Sequence, residues 1–191
     1  MPGMIRELTG QESVPFGDAY IKTYDTSIGF EICEELFTPN SPHISLGLDG
    51  VEIFCNGSAS HHQLGKLQTR LDLINGATAR TGGIYLYANL QGVDGEQIYY
   101  DGSAMISVNG KLVAQGPQFS LKDVHVVTAK VDLFDLRVFR GLSQSLGNQG
   151  AAAAGQTYPQ IFVPFRLTEE TLELCDPPIQ PLIQSPQVEI S

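Results

Sequence analysis

The stretch SIGFEICEELFTP, residues 27–39, decides how the rest of the chain is read. Ile28, Phe30 and Ile32 form an apolar, β-compatible run that delivers Cys33 into Glu34, Glu35, Leu36 and Phe37, a helix-favouring acidic segment. The pattern predicts a strand, a sharp turn and a helix, with Cys33 at the elbow. A thiol there stands clear of the sheet, and the amides opening the next helix favour its ionised form and can hold an oxyanion beside it. Cys33 is therefore a candidate nucleophile. The competing reading is an inert, packed cysteine, since free cysteine is among the most buried residue types.

Working outward, AYIKTYD (19–25) predicts a strand pairing hairpin-fashion with 28–33 across a turn at 25–27. Residues 1–16, punctuated by Pro2, Gly3, Gly10 and Pro15, read as a loose N-terminal arm. Downstream, Pro39 and Pro42 break the chain, and 51–54 reads as a buried strand. Ser58 or Ser60 is placed to cap a helix whose apolar positions Leu64, Leu67, Leu71, Ile74 and Thr78 recur at three and four, until Gly82 and Gly83 end it. This second strand, turn and helix predicts that the 58–60 turn opens at the same sheet edge as Cys33.

Further on, IYLYA (84–88) is another strand, and 97–100, 104–108 and 112–115 read as a meander turning at Asp101-Gly102 and Asn109-Gly110. Residues 126–133 alternate, with Val127, Ala129, Val131 and Leu133 on one side, which predicts a strand with one buried face. Residues 134–142 are compatible with a helix. The segment SQSLGNQGAAAAGQT (143–157) is low in complexity, so 143–160 reads as a loop, and 161–191 as a strand followed by an extended proline-rich tail. The main domain is thus 17–142.

Composition bounds the function. With 191 residues and 42% hydrophobic content, the chain is long enough for one cored domain. A net charge of −10 disfavours a nucleic-acid groove or an anionic membrane surface, and no stretch is long and apolar enough to span a bilayer. Cys33, Cys55 and Cys175 are sparse and odd in number, which fits a reducing, cytoplasmic setting. His61 and His62 lack partners at metal-ligand spacing and read as hydrogen-bonding residues at a helix start; His43 and His125 have none either, so no metal site is expected.

Several blocks carry a resemblance in the same order: GFEICEELFTPNSPH around Cys33, LGLDGVEIFCNGSASHHQLGKLQTRLDLI at 46–74, GGIYLYANLQGVDGEQIYYDGSAMISVNGKLVAQGPQFSLKDV at 82–124, and VTAKVDL at 127–133. The chain resembles the nitrilase (carbon-nitrogen hydrolase) superfamily, and within it the glutaminase part of eukaryotic glutamine-dependent NAD synthetases. The resemblance implies an α/β fold, a four-layer α-β-β-α sandwich. It implies a glutamine amide attacked by the Cys33 thiolate, with ammonia passed on for ATP-dependent conversion of deamido-NAD to NAD. It implies no cofactor for the glutaminase step, ATP and Mg2+ for a separate synthetase domain, and a homo-oligomer in the complete enzyme.

The family's glutamate base and lysine lie well upstream of the cysteine. No segment of 1–32 resembles either motif, and no SGGxDS-type loop occurs, so the N-terminal part of the fold and the synthetase domain are expected to be missing and glutamine turnover to be impaired. By the same resemblance, Phe37 lines the glutamine pocket, and Ser58, Ser60 and Lys66 grip its α-amino and α-carboxylate groups. Core packing for Phe37 and helix capping for the serines are the alternatives. Where many relatives read LRK, this chain reads Leu64-Gly65-Lys66, lacking an arginine. Two other functions stay open: a stand-alone amidase of the superfamily, and a catalytically silent interaction fragment.

Overall fold

A computed structural model describes residues 1–95, 97–153, 158–169 and 173–190. The elements run α1 (Gly3–Thr9), β1 (Tyr20–Lys22), β2 (Ser27–Ile32), a three-ten helix (Cys33–Phe37), α2 (Pro42–Leu48), β3 (Ile53–Ser58), α3 (Lys66–Thr81), β4 (Ile84–Asn89), β5 (Gln91–Asp94) and β6 (Ile98–Asp101). They continue with β7 (Met105–Val108), β8 (Lys111–Gln115), α4 (Leu133–Gly141), α5 (Gln144–Ala153), β9 (Gln160–Phe162) and α6 (Pro186–Ile190). Among the described residues no helix is long and apolar enough to cross a membrane.

Seven strands form one sheet in the order β8-β7-β4-β3-β2-β1-β9, while β5 and β6 make a separate hairpin. β2, β3 and β4 are parallel, with Ile28 opposite Ile53 and Ile53 opposite Ile84. Their C-terminal ends therefore gather at one edge. Alternation sorts the side chains: Ser27, Gly29 and Glu31 of β2 face one side, Ile28, Phe30 and Ile32 the other.

The first side is the core beneath α2 and α3, where Leu36, Leu46, Phe54, Leu67, Leu71, Ile74 and Tyr85 pack together. Gly29 permits the approach of α2, since a methyl there would meet Leu46 Cδ1 at 2.9 Å and Val51 Cγ1 at 3.1 Å. On the second side Ile53, Ile84, Ile106, Leu133 and Leu136 form a smaller cluster, against which Val127, Ala129 and Val131 pack. The mixed sheet with its helix layer is the nitrilase-like α/β architecture. Of the four expected layers, the described residues build one helix layer and one large sheet; across the second face lie 127–131 and α4.

Several local expectations are corrected. Residues 126–132 alternate as predicted, yet they join no ladder among the described residues; Lys130 is tied to Asp176, whose amide donates to Lys130 O at 3.0 Å, and the segment leads into α4. Periodicity reports which face is buried and not whether a neighbouring strand exists. β6 pairs with β5 rather than with β7, so the meander is broken at Asp101-Gly102. The Asn109-Gly110 hairpin joins β7 to β8, with φ 49° and 83° as a two-residue primed turn requires.

α3 opens at Lys66 after Gly65 at φ 73°, with no side-chain cap, so neither Ser58 nor Ser60 caps it and Leu64 is 55% exposed. Residues 144–153 are helical where a loop is expected, because an alanine-rich run is a strong helix former; residues 154–157 of that expected loop lie outside the described residues. Residues 3–9 of the expected arm form a helix with no buried residue. β9 pairs in parallel with β1, and the tail returns along β8 through Ile179 N–H to Leu112 O.

Candidate active site

Cys33 follows the last residue of β2, one position beyond the Ile32–Gly57 pair, so it comes level with the end of β3. Its φ is 48°, a left-handed conformation that strains a residue bearing a Cβ by roughly 1–2 kcal/mol. Such an outlier at an element boundary is a device for aiming a side chain. Glu35 helps hold the turn by accepting the Ile32 amide at 2.6 Å. The Cys33 amide itself donates to Asn56 Oδ1 at 3.1 Å. The following helix has five residues, too short for the strong dipole expected beside the thiol.

Positive charge comes instead from Lys66. Its ammonium donates to His61 O at 3.0 Å and lies 5.9 Å from the Phe37 ring centroid, within cation–π range. Burial lowers its pKa, and Arg70 lowers it further, against the opposing attraction of Asp101 and of Cys33. Cys33 is half-buried and Phe37 is exposed at the rim.

Ser58 ends β3 beside the elbow, and its hydroxyl is buried with no hydrogen-bond partner among the described residues. The Ser60 hydroxyl is in the same condition. Asn89, at the end of β4, clamps this loop by accepting the Ser60 amide at 2.8 Å and donating to Ser60 O at 3.1 Å. Cys33, Ser58 and Ser60 thus reach one sheet edge, the two serines with unused hydroxyls, while Phe37 and Lys66 meet each other where the three-ten helix approaches the start of α3. Among the described residues no carboxylate or imidazole hydrogen-bonds the Cys33 sulfur, and no three His, Cys, Asp or Glu side chains converge as metal ligands.

Behind this edge lie further polar residues. Arg70 and Asp101 pair at 2.5 Å with side chains fully buried, and His62 Nδ1 stands 3.9 Å from the same carboxylate while its ring meets Phe119 edge-on at 4.9 Å. His61 and His62 therefore belong to the loop before α3 and not to a helix start. Glu31, Asn56, Tyr85 and His43 form a second buried group beneath the elbow. Burial pushes the Glu31 carboxyl up, but bonds from His43 and Tyr85 outweigh it and hold the pKa below the ordinary value. Burial and the adjacent Glu31 push the Tyr85 hydroxyl far up. The one available signal was alternation, which sets Glu31 on the face opposite Phe30.

The sequence matches the carbon-nitrogen hydrolase family over residues 4–140. It is 54% identical over 178 residues to a glutamine-dependent NAD(+) synthetase of Dictyostelium discoideum, covering 93% of this chain and 24% of that protein. It is 52% identical over 193 residues to the enzyme so named in Homo sapiens, covering 100% of this chain and 27% of that one. Among solved structures, a glutamine-dependent NAD(+) synthetase from Cytophaga hutchinsonii superposes with a TM-score of 0.53 at 35% identity, covering 62% of this chain and 19% of that one. The chain spans about a quarter of the length of these curated relatives.

Proposed function

The chain belongs to the carbon-nitrogen hydrolase family, and on that premise we propose that it carries the nucleophile and amino-acid pocket of a glutaminase site, as in glutamine-dependent NAD synthetases. The observation that carries this reading is Cys33 at a strained strand-to-helix elbow, electrostatically linked to Lys66 and beside two buried, unpartnered serine hydroxyls.

The Cys33 thiolate adds to the side-chain amide carbon of L-glutamine, forming a C–S bond and a tetrahedral oxyanion. The oxyanion collapses as the C–N bond breaks; the leaving nitrogen takes a proton and departs as ammonia, leaving a glutamyl thioester. Water then adds to the thioester and glutamate leaves, restoring the thiol. Lys66 offers its ammonium to the substrate carboxylate, Ser58 and Ser60 supply hydroxyls to the α-amino and carboxylate groups, and Phe37 walls the pocket. The proposed setting is reducing and cytoplasmic, where three unpaired cysteines stay as thiols.

Ammonia release needs a proton-shuttling base. Since no carboxylate bonds the Cys33 sulfur among the described residues, the chain alone is impaired in turnover. In the longer relatives the ammonia would serve the ATP- and Mg2+-dependent conversion of deamido-NAD to NAD, in a homo-oligomer, through portions that this chain does not span.

The test is covalent capture. An electrophilic diazoketone analogue of L-glutamine, incubated with the chain and followed by intact mass and peptide mapping, should add once, at Cys33. Failure to label Cys33 while iodoacetamide still reaches it would refute the pocket and favour a silent interaction fragment.

A further inference from the structure

We propose that Glu31 is a positioning residue for Cys33, acting through Tyr85 and Asn56 by fixing the direction of a buried hydrogen-bond chain that ends on the Cys33 amide. The inference rests on the reading of Cys33 as nucleophile, but its geometry stands independently.

Glu31, Asn56 and Tyr85 project to the same face of three neighbouring parallel strands, and are 2%, 2% and 0% exposed, so water cannot substitute for a missing partner. The Glu31 carboxylate accepts the His43 amide at 3.0 Å and His43 Nδ1 at 3.1 Å, and it also accepts the Tyr85 hydroxyl. An ionised carboxylate can only accept. The single hydroxyl proton of Tyr85 is therefore committed to Glu31, and the oxygen of Tyr85 is left to accept from Asn56 Nδ2 at 3.0 Å.

That bond determines which way the Asn56 amide points, and it turns Oδ1 toward the Cys33 N–H at 3.1 Å. Each donor and acceptor follows from the one before it, and the sequence starts at the buried charge. Without an acceptor at position 31, the Tyr85 proton is free to go to Asn56 Oδ1. The amide then turns over, setting its own N–H against that of Cys33, and the elbow at φ 48° loses its tie. A residue that touches neither the thiol nor the substrate thereby governs how the thiol is aimed.

Amide exchange and thiol alkylation test this on the isotope-labelled full chain. In Glu31→Leu and Tyr85→Phe, exchange at the Cys33 amide should accelerate about tenfold or more relative to the Cys55 amide in the same sample, beyond any global loosening. The iodoacetamide rate at Cys33 should shift in both. Ile74→Val, which loosens the same core from α3 and makes no hydrogen bond in the chain, should leave the ratio and the relative alkylation rate unchanged. A Cys33 amide that keeps pace with Cys55 in both variants overturns the proposal.

Should those variants fail to fold, the unmutated protein still decides. A scalar coupling across the hydrogen bond from the Cys33 nitrogen to the Asn56 side-chain carbonyl supports the arrangement, and its absence, with sheet couplings visible, overturns it. A chain that shows this coupling but is not labelled by the glutamine analogue loses its proposed substrate and keeps its positioning chain.

Discussion

The ammonium of Lys66 lies 5.9 Å from the centre of the Phe37 ring, joining the helix that opens α3 to the turn that follows the nucleophile elbow. Two segments separated by α2, β3 and a loop thus meet, and the lysine's charge is steered by the ring face and by His61 O.

From that contact, Lys66→Ala should raise the concentration of glutamine analogue needed for half-maximal labelling by about tenfold, ~1.4 kcal/mol, while neutral iodoacetamide labels Cys33 at a rate within about threefold of the unmutated chain. Equal losses with both reagents would show that Lys66 acts on the thiol and not on the substrate's carboxylate. Progress is followed by intact mass.

Turnover is the complementary case. Ammonia release from L-glutamine by the chain alone should stay at the level of Cys33→Ala, because the thiol can be alkylated without a base but cannot cycle without one. A coupled ammonia assay that finds Cys33-dependent release would contradict the proposed impairment.

The acid limb of stability should report Glu31. Its folded-state pKa is held below the ordinary 4.5, so as pH falls the unfolded chain binds the proton first. The stabilisation is complete above that value and is lost as pH falls through the folded one. Glu52 behaves alike: burial raises its pKa, but Arg137 and Thr26 more than reverse this, so it contributes to the same limb. Urea midpoints should drop from about pH 5 to about pH 3, and Glu31→Leu should flatten part of that slope. An unchanged slope in the variant would contradict the ionised, bonded Glu31.

Packing gives a sharper test of the sheet. Gly83 lies where chain enters β4, and a Cβ there would meet Phe54 Cε2 at 2.7 Å and the Glu52 backbone oxygen at 3.1 Å. Backbone cannot yield as a flexible side chain does, so Gly83→Ala should destabilise by about 1–3 kcal/mol, read from denaturant unfolding.

The elbow, the strands around 28–33, 51–54 and 84–88, and the Asn109-Gly110 hairpin were legible in the sequence because each rests on local chemistry: an apolar run, a helix-favouring break, a turn that demands positive φ. The start of α3 was not, since Ser60, which looks like a cap, is instead held at the sheet edge by Asn89, a partner 29 residues away. Residues 126–132 show the same limit, for alternation encodes a buried face and leaves strand pairing to the rest of the fold. Cys33 was legible from its elbow, whereas Phe37, Ser58, Ser60 and Lys66 were named as site residues from resemblance. Asn56 and Tyr85 were missed, because a polar residue inside a strand signals a role only once its neighbours across the sheet are known.

The most direct measurement is protection of Cys33 by substrate. The L-form of the diazoketone analogue should label Cys33 alone, millimolar L-glutamine should slow that labelling, and D-glutamine should not. Labelling that ignores both amino acids, or that falls equally on Cys55 and Cys175, would contradict a glutamine pocket around the Cys33 sulfur.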